Sequence, residues 1–274
     1  MFTKLLKHEW KTHSKMLLTI SGFMLGIALL SGLALRLIIS TAANPEGASD
    51  AMALVMIPAG LFLAVAFLAL FLYAAGVEFY LLYRFYKSRF TDEGYLTFTL
   101  PVKTSHIFLS GALHMLIWTL ISGIVLSLSA GICIMIGIPF GENTITFKDF
   151  FDGISEMFTF YGDILPLETY LPVIPVTMIC GIVISMSCIV IGSVLAKKLK
   201  ILAAIGVMYG CSALTSIISG MVTAVTTVMF AQGMITMDAM NIIMPVSSCI
   251  LSLLLALSGY LLSVYLMKNK LNLP

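Results

Sequence analysis

Charge is what this chain of 274 residues has least of. Asp, Glu, Lys and Arg together make up 10 % of it, where an average soluble domain carries about 25 %. Such a scarcity excludes a disordered chain, which needs charge to stay solvated, and a nucleic-acid binder, which needs a basic face. Cysteine is sparse as well. Cys133, Cys180, Cys188, Cys211 and Cys249 all fall inside long apolar runs and form no Cys-x-x-Cys pair. They read as small packing residues, neither a disulfide framework nor a metal site. No G-x-x-x-x-G-K-[ST] and no G-x-S-x-G occurs, so neither a phosphate loop nor a nucleophile elbow is present. His8 and His13 flank Glu9 but stand five residues apart. That is about 140° around a helix, so they do not form the ligand pair of an H-E-x-x-H zinc motif. No catalytic or metal constellation emerges, and the chain is expected not to be an enzyme.

What is abundant is apolar surface, 60 % of residues against about 45–50 % in soluble domains. Six runs are long enough for a bilayer core about 30 Å thick, which takes about 20 apolar residues in a helix. They cover 16–39, 53–82, 107–138, 171–196, 201–230 and 242–267. The first exceeds the about 7–15 apolar residues of a leader peptide and is read as a span, although Ser40-Thr41-Ala42-Ala43 has the small residues of a cleavage site. The expected fold is therefore an all-α integral membrane protein. It comprises an amphipathic helix over 1–15 and a single six-span domain over 16–274, with loops 83–106 and 139–170 on opposite sides.

The few cations are sorted by side. Lys4, Lys7, Lys11 and Lys15 precede the first span. Arg84, Lys87, Arg89 and Lys103 lie between the second and third, Lys197, Lys198 and Lys200 between the fourth and fifth, and Lys268 and Lys270 after the sixth. Only Arg36 and Lys148 fall on the other side. By the positive-inside rule both termini are expected in the cytoplasm. In residues 1–15, Phe2, Leu5, Leu6 and Trp10 recur near helical spacing away from the lysines, which suits a helix lying on the inner leaflet. Loop 139–170 holds Glu142, Asp149, Asp152, Glu156, Asp163 and Glu168 among aromatics, and 147–161 is expected as an amphipathic helix outside.

Loop 83–106 carries Tyr83, Phe85, Tyr86, Phe90, Tyr95 and Phe98 with four cations and the pair Asp92-Glu93. Aromatics among charges point to a docking surface. Asp92 and Glu93 are placed to open a short helix, and Pro101 to end it. Glu78 is the one clear intramembrane charge, near the inner end of span two. It reads as structural, with Arg84 or the 197–200 lysines as candidate partners. Gly22 with Gly26, Gly206 with Gly210, and Gly123, Ser127 and Gly131 repeat at intervals of four and are candidate helix-packing faces, inside the chain or at a seam between copies.

An amphipathic N-terminus, six spans and a docking loop between spans two and three resemble the permease subunits of the ABC transporter type-2 class. The sharpest match is Thr91-Asp92-Glu93-Gly94-Tyr95-Leu96-Thr97-Phe98-Thr99-Leu100-Pro101-Val102, similar to the acidic-Gly and Thr-Leu-Pro-Val of the coupling-helix region in Gram-positive bacterial versions. In motif the resemblance covers residues 84–111. It implies an exporter subunit in the bacterial cytoplasmic membrane that moves an amphipathic peptide, an antibiotic or a lipid-like molecule outward. It further implies a cytoplasmic ATP-binding cassette partner carrying ATP and Mg, a second permease subunit, and a partner-coupling role for Asp92, Glu93, Gly94, Tyr95, Leu96, Thr97, Phe98, Leu100 and Pro101. In many relatives the prominent outer helices lie between spans five and six. Here the long outer loop lies between spans three and four. Two other classes stay open on the residues alone, a non-transporting assembly or signalling module and a secondary transporter. The secondary transporter needs inverted repeats and midplane ionisable groups, and neither is found.

Overall fold

The computed structural model describes residues 2–42, 50–91, 94, 103–138, 146–164, 167–196 and 199–269. Its elements are α1 (Phe2–Ala42), α2 (Asp50–Phe90), α3 (Thr104–Gly137), α4 (Phe147–Ile164), α5 (Leu167–Leu195), α6 (Lys200–Ala231) and α7 (Met237–Asn269). Among the described residues there is no strand. All of these except α4 are long and apolar enough to cross a membrane.

The side-chain distribution identifies the solvent. Phe23, Phe67, Phe71, Leu171 and Tyr209 point outward, while Ser21, Ser110, Ser129, Ser193, His13, His114 and Arg89 are buried. Water would select the reverse, so this is a multi-pass membrane protein. The buried hydroxyls are largely self-satisfied. Ser110 donates to the Ile107 carbonyl at 3.0 Å and Ser193 to Val190 at 2.8 Å, which satisfies a polar group in lipid without a partner helix.

The helix ends follow local chemistry. α6 stops in a Schellman turn: Gly233 adopts φ +69, its N–H bonds the Phe230 carbonyl at 2.9 Å, and Met234 N–H bonds Met229 at 2.9 Å. Thr236 then caps α7, accepting the Ala239 N–H at 3.3 Å. Pro172 and Pro175 are the sixth and ninth residues of α5, past its first turn, so each removes one backbone bond from the helix.

The helices are longer than the spans read from the sequence. α1 and α2 have 41 residues each, about 60 Å at 1.5 Å per residue, twice the hydrocarbon thickness. Residues 2–15 are the opening turns of α1, with no break from the span that follows. The separate element expected over 1–15 is thus not set off: no glycine or proline interrupts Lys11 to Leu18, and Thr12 bonds back to the His8 carbonyl instead of capping a new helix. α2 likewise continues past Leu82 to Phe90 and α3 begins at Thr104, so residues 83–90 and 104–106 of the expected loop 83–106 are helical.

The chain forms two compact units, one of Met1–Leu5, Leu81–Leu116 and Phe158–Pro274, the other of Leu6–Tyr80 and Ile117–Met157. In the first, α5 is central and packs on α6 and α7. Half of its most apolar window is buried, against 6 % for α6. Gly192 lets α5 approach the backbone of α6 at Ala203 and Ala204 so closely that a Cβ there would collide, and Gly259 of α7 seats against Ser187. In the second, α1 and α2 are joined by Ser21 Oγ to Tyr73 Oη at 2.8 Å and by His13 Nδ1 to Tyr80 Oη at 3.3 Å. Trp10 stacks on the buried Trp118 of α3, with centroids 5.0 Å apart.

Candidate functional site

The chain's most distinctive local sequence lies between α2 and α3, and the structure shows how its base is built. Phe85, Arg89 and Phe90 are buried at the end of α2. Phe85 and Arg89 are four residues apart, one helical turn, so the guanidinium lies over the Phe85 ring at 4.4 Å from its centroid. Arg89 Nη1 donates to Ser88 Oγ at 3.1 Å and Nη2 to the Ile107 carbonyl at 3.2 Å. That second bond ties the end of α2 to the first turn of α3. Gly111 makes room for it, since a Cβ there would lie 3.1 Å from Nη2 and 3.0 Å from the Phe85 ring.

Aromatic contacts extend this anchor. Phe85 meets Phe90 at 6.2 Å and Phe108 at 6.1 Å, and Phe108 meets Tyr260 of α7 edge-on at 5.5 Å. Tyr86 stacks on Phe90 at 6.2 Å. Lys200, the first residue of α6, donates to the Phe90 carbonyl at 3.5 Å, one of the carbonyls a helix end leaves open. Beyond Phe90, Thr91 Oγ1 bonds the Lys87 carbonyl at 2.6 Å and Gly94 N–H bonds the Thr91 carbonyl at 2.7 Å. Gly94 turns back on Arg89, and a Cβ there would run into the Arg89 carbonyl. Thr91 and Gly94 are therefore held at a packed aromatic and cationic base shared by α2, α3, α6 and α7.

This revises the reading of the aromatics. Phe85 and Phe90 belong to the base and are buried, not displayed in a loop, whereas Tyr83 is half exposed. Arg89, sorted by sequence with the exposed loop cations, is 3 % exposed. Its signal was the Phe85–Arg89–Phe90 spacing, which makes sense only if the helix outruns the apolar span. Of the coupling residues, Gly94 is placed as above. Asp92, Glu93, Tyr95, Leu96, Thr97, Phe98, Leu100 and Pro101 lie outside the described residues.

Glu78 is exposed on α2, about 18 Å from that helix's end at 1.5 Å per residue, which is near the hydrocarbon boundary. Six residues separate it from Arg84 on one continuous helix, about 120° around the axis, so that candidate partner does not face it; of the other candidates, Lys197 and Lys198 lie outside the described residues. Gly22, Gly26, Gly123, Gly131, Gly206 and Gly210 are open: a Cβ on any of them meets nothing within 4 Å. Ser127 is exposed and donates to the Gly123 carbonyl at 2.9 Å. Glycines that do pack inside this chain include Gly32, Gly137 and Gly192, which seat against Ile136, Leu35 and Ala204, beside Gly111 and Gly259. All five cysteines are free.

The loop helix α4 carries the other charged surface. Thr146 caps it in a reciprocal box: Asp149 Oδ2 accepts from Thr146 N–H at 3.1 Å and Oγ1 at 2.6 Å, and Thr146 Oγ1 accepts the Asp149 N–H at 3.3 Å. Those bonds hold the Asp149 carboxyl below its ordinary 3.8. Phe151, Met157 and Phe160 are exposed beside Asp149, Asp152 and Glu156.

No protein-family model, no curated protein and no solved structure matches this chain.

Proposed function

We propose that the chain is the membrane subunit of an ATP-driven exporter of the ABC type-2 class. The observation that carries the reading is the acidic-Gly and Thr-Leu-Pro-Val sequence of 91–102, which links the anchored ends of α2 and α3 along the chain. A segment that transmits force needs a stiff mount. The Arg89 fork, the aromatic cluster and the Lys200 tether supply one. A cytoplasmic ATP-binding cassette subunit would dock on Asp92, Glu93, Gly94, Tyr95, Leu96, Thr97, Phe98, Leu100 and Pro101, as in the family it resembles. Nucleotide-driven closure of two such subunits would then move α2 and α3 together and switch access for an amphipathic peptide, an antibiotic or a lipid-like cargo. ATP and Mg belong to that partner. Gly22, Gly26, Gly123, Gly131, Gly206 and Gly210, open in the single chain, are available to a second permease subunit. The cation asymmetry supports a topology with both termini in the cytoplasm, and the resemblance supports a bacterial cytoplasmic membrane.

Purification of the tagged chain from native membranes tests this. The expected outcome is a co-purifying cytoplasmic subunit with ATPase activity. A stable preparation that retains no nucleotide-binding partner contradicts it.

A further inference from the structure

The charges of α1 set its depth in the membrane. Between Lys15 and Arg36 lie 20 residues without a charge, about 30 Å at 1.5 Å per residue, which equals the hydrocarbon thickness. The two cations therefore mark the two boundaries of the core. Lys11 and Lys7 continue outward from Lys15 in steps of four residues, about 6 Å each, through a headgroup layer about 5–8 Å deep on each side.

The same helix sets the direction of these lysines. At about 100° per residue, Lys7, Lys11 and Lys15 fall within an arc of about 80°, and all three are exposed. Leu18, Leu29 and Leu33 fall in the same arc and are exposed as well, so this row meets acyl chains. His13, Leu17, Met24 and Ala28 are buried on the other side of the helix, where Trp10 stacks on Trp118 and His13 meets Tyr80. Because α1 does not break between Lys11 and Leu18, the lysine row runs directly into the lipid-facing row. Glu9, the one acid of α1, lies about 200° around the axis from Lys7 and leaves the arc purely cationic.

We propose that Lys7, Lys11 and Lys15 bind the phosphate of an anionic phospholipid whose acyl chain descends along Leu18. An ammonium acts on phosphate as a point charge, so the row selects net charge and not headgroup shape. Phosphatidylcholine offers the same phosphate with a choline cation beside it, which offsets the attraction. A lipid fits better than a soluble phosphate because the lysines and the lipid-facing leucines form one continuous row. The site is independent of the transport reading, since it needs neither nucleotide nor partner.

Photo-crosslinking of the full chain in liposomes of equal phosphatidylcholine and phosphatidylglycerol tests the site. A photoreactive p-benzoylphenylalanine replaces Leu18, three residues inward of Lys15, or Leu61, an exposed position of α2 with no charged residue within ten positions. Adducts are identified by mass. The ratio of phosphatidylglycerol to phosphatidylcholine adducts is expected to be at least three-fold higher at Leu18 than at Leu61. Lys7→Gln, Lys11→Gln and Lys15→Gln together are expected to bring it down to the Leu61 value. So is 1 M salt, where the screening length is about 3 Å. Arginine at the same three positions is expected to preserve it. Lys15→Gln alone is expected to lower it about two-fold, which keeps the test open if the triple change disturbs insertion. Equal ratios at Leu18 and Leu61, or a preference that survives the three changes to Gln, overturns the proposal. So does loss of a co-purifying subunit from the triple Gln variant with unchanged lipid adducts, which would give the lysines to a protein partner.

Discussion

Arg89 is the residue on which the α2–α3 junction turns. Its guanidinium is buried, lies over Phe85 and bridges Ser88 Oγ to the Ile107 carbonyl. Hydrogen bonds to charged groups contribute about 1.5–3 kcal/mol each, and truncation of a buried partner leaves the other unpaired. Arg89→Ala is expected to destabilise the folded chain by about 2–4 kcal/mol, read as a lower thermal midpoint in detergent. Arg89→Lys is expected to recover less than half of that loss, because one ammonium does not reproduce the two-pronged fork. Equal stability of Arg89→Ala and the native chain would show that the junction is held by its aromatics alone. This residue was hidden in the sequence for a physical reason. Hydropathy stops reporting at Leu82, where the helix leaves the hydrocarbon, but the backbone hydrogen bonds continue to Phe90. Composition changes at the membrane surface and helicity does not.

At the scale of elements, the six spans were legible because lipid imposes a minimum apolar length, and the structure has six such helices. Which faces pack was not legible. GxxxG spacing marks Gly206 and Gly210, yet they face open space, while the lone Gly192 takes the tightest approach of α5 to α6. Spacing shows that a glycine face exists, and only the neighbouring helix decides whether it is used. Gly192→Val is accordingly expected to cost about 1–3 kcal/mol through overpacking against Ala204, whereas Gly210→Val leaves the monomer's stability unchanged. The check is the thermal midpoint of each variant, and equal effects would refute this assignment of packing faces. The start of α4 carries a pH prediction. The Asp149 carboxyl is held below 3.8 by Thr146, so its contribution is fully present above 3.8 and is lost as pH falls through the lowered value. Amide exchange at residues 148–152 is expected to be constant from pH 7 to pH 5 once corrected for intrinsic rate, and to rise only below about pH 4. Thr146→Ala is expected to raise it at every pH. A transition between pH 5 and 7 would mean that another group controls this helix end.

For the whole molecule, buried serines and outward phenylalanines establish the membrane, and the cations predict its sidedness. With thirteen of the Lys and Arg residues on one side, a cysteine introduced at Ser155 is expected to react with an impermeant reagent from outside the cell. Reaction only from the cytoplasm would invert the topology. The functional claim rests on a short sequence, residues 91–102 between the anchored ends of α2 and α3, and on the expectation that a partner binds it. Interfaces concentrate energy in a few aromatic or charged anchors, each worth about 2 kcal/mol or more on truncation. The most direct measurement is the ATPase rate of the chain reconstituted with its co-purified subunit, compared between the native form, Tyr95→Ala with Phe98→Ala, and Glu93→Lys. The account predicts that both variants fold and insert normally but lose the partner or the stimulation of its ATPase by at least ten-fold, as a loss of about 1.4 kcal/mol or more requires. Undiminished binding, stimulation and export in both variants would contradict it.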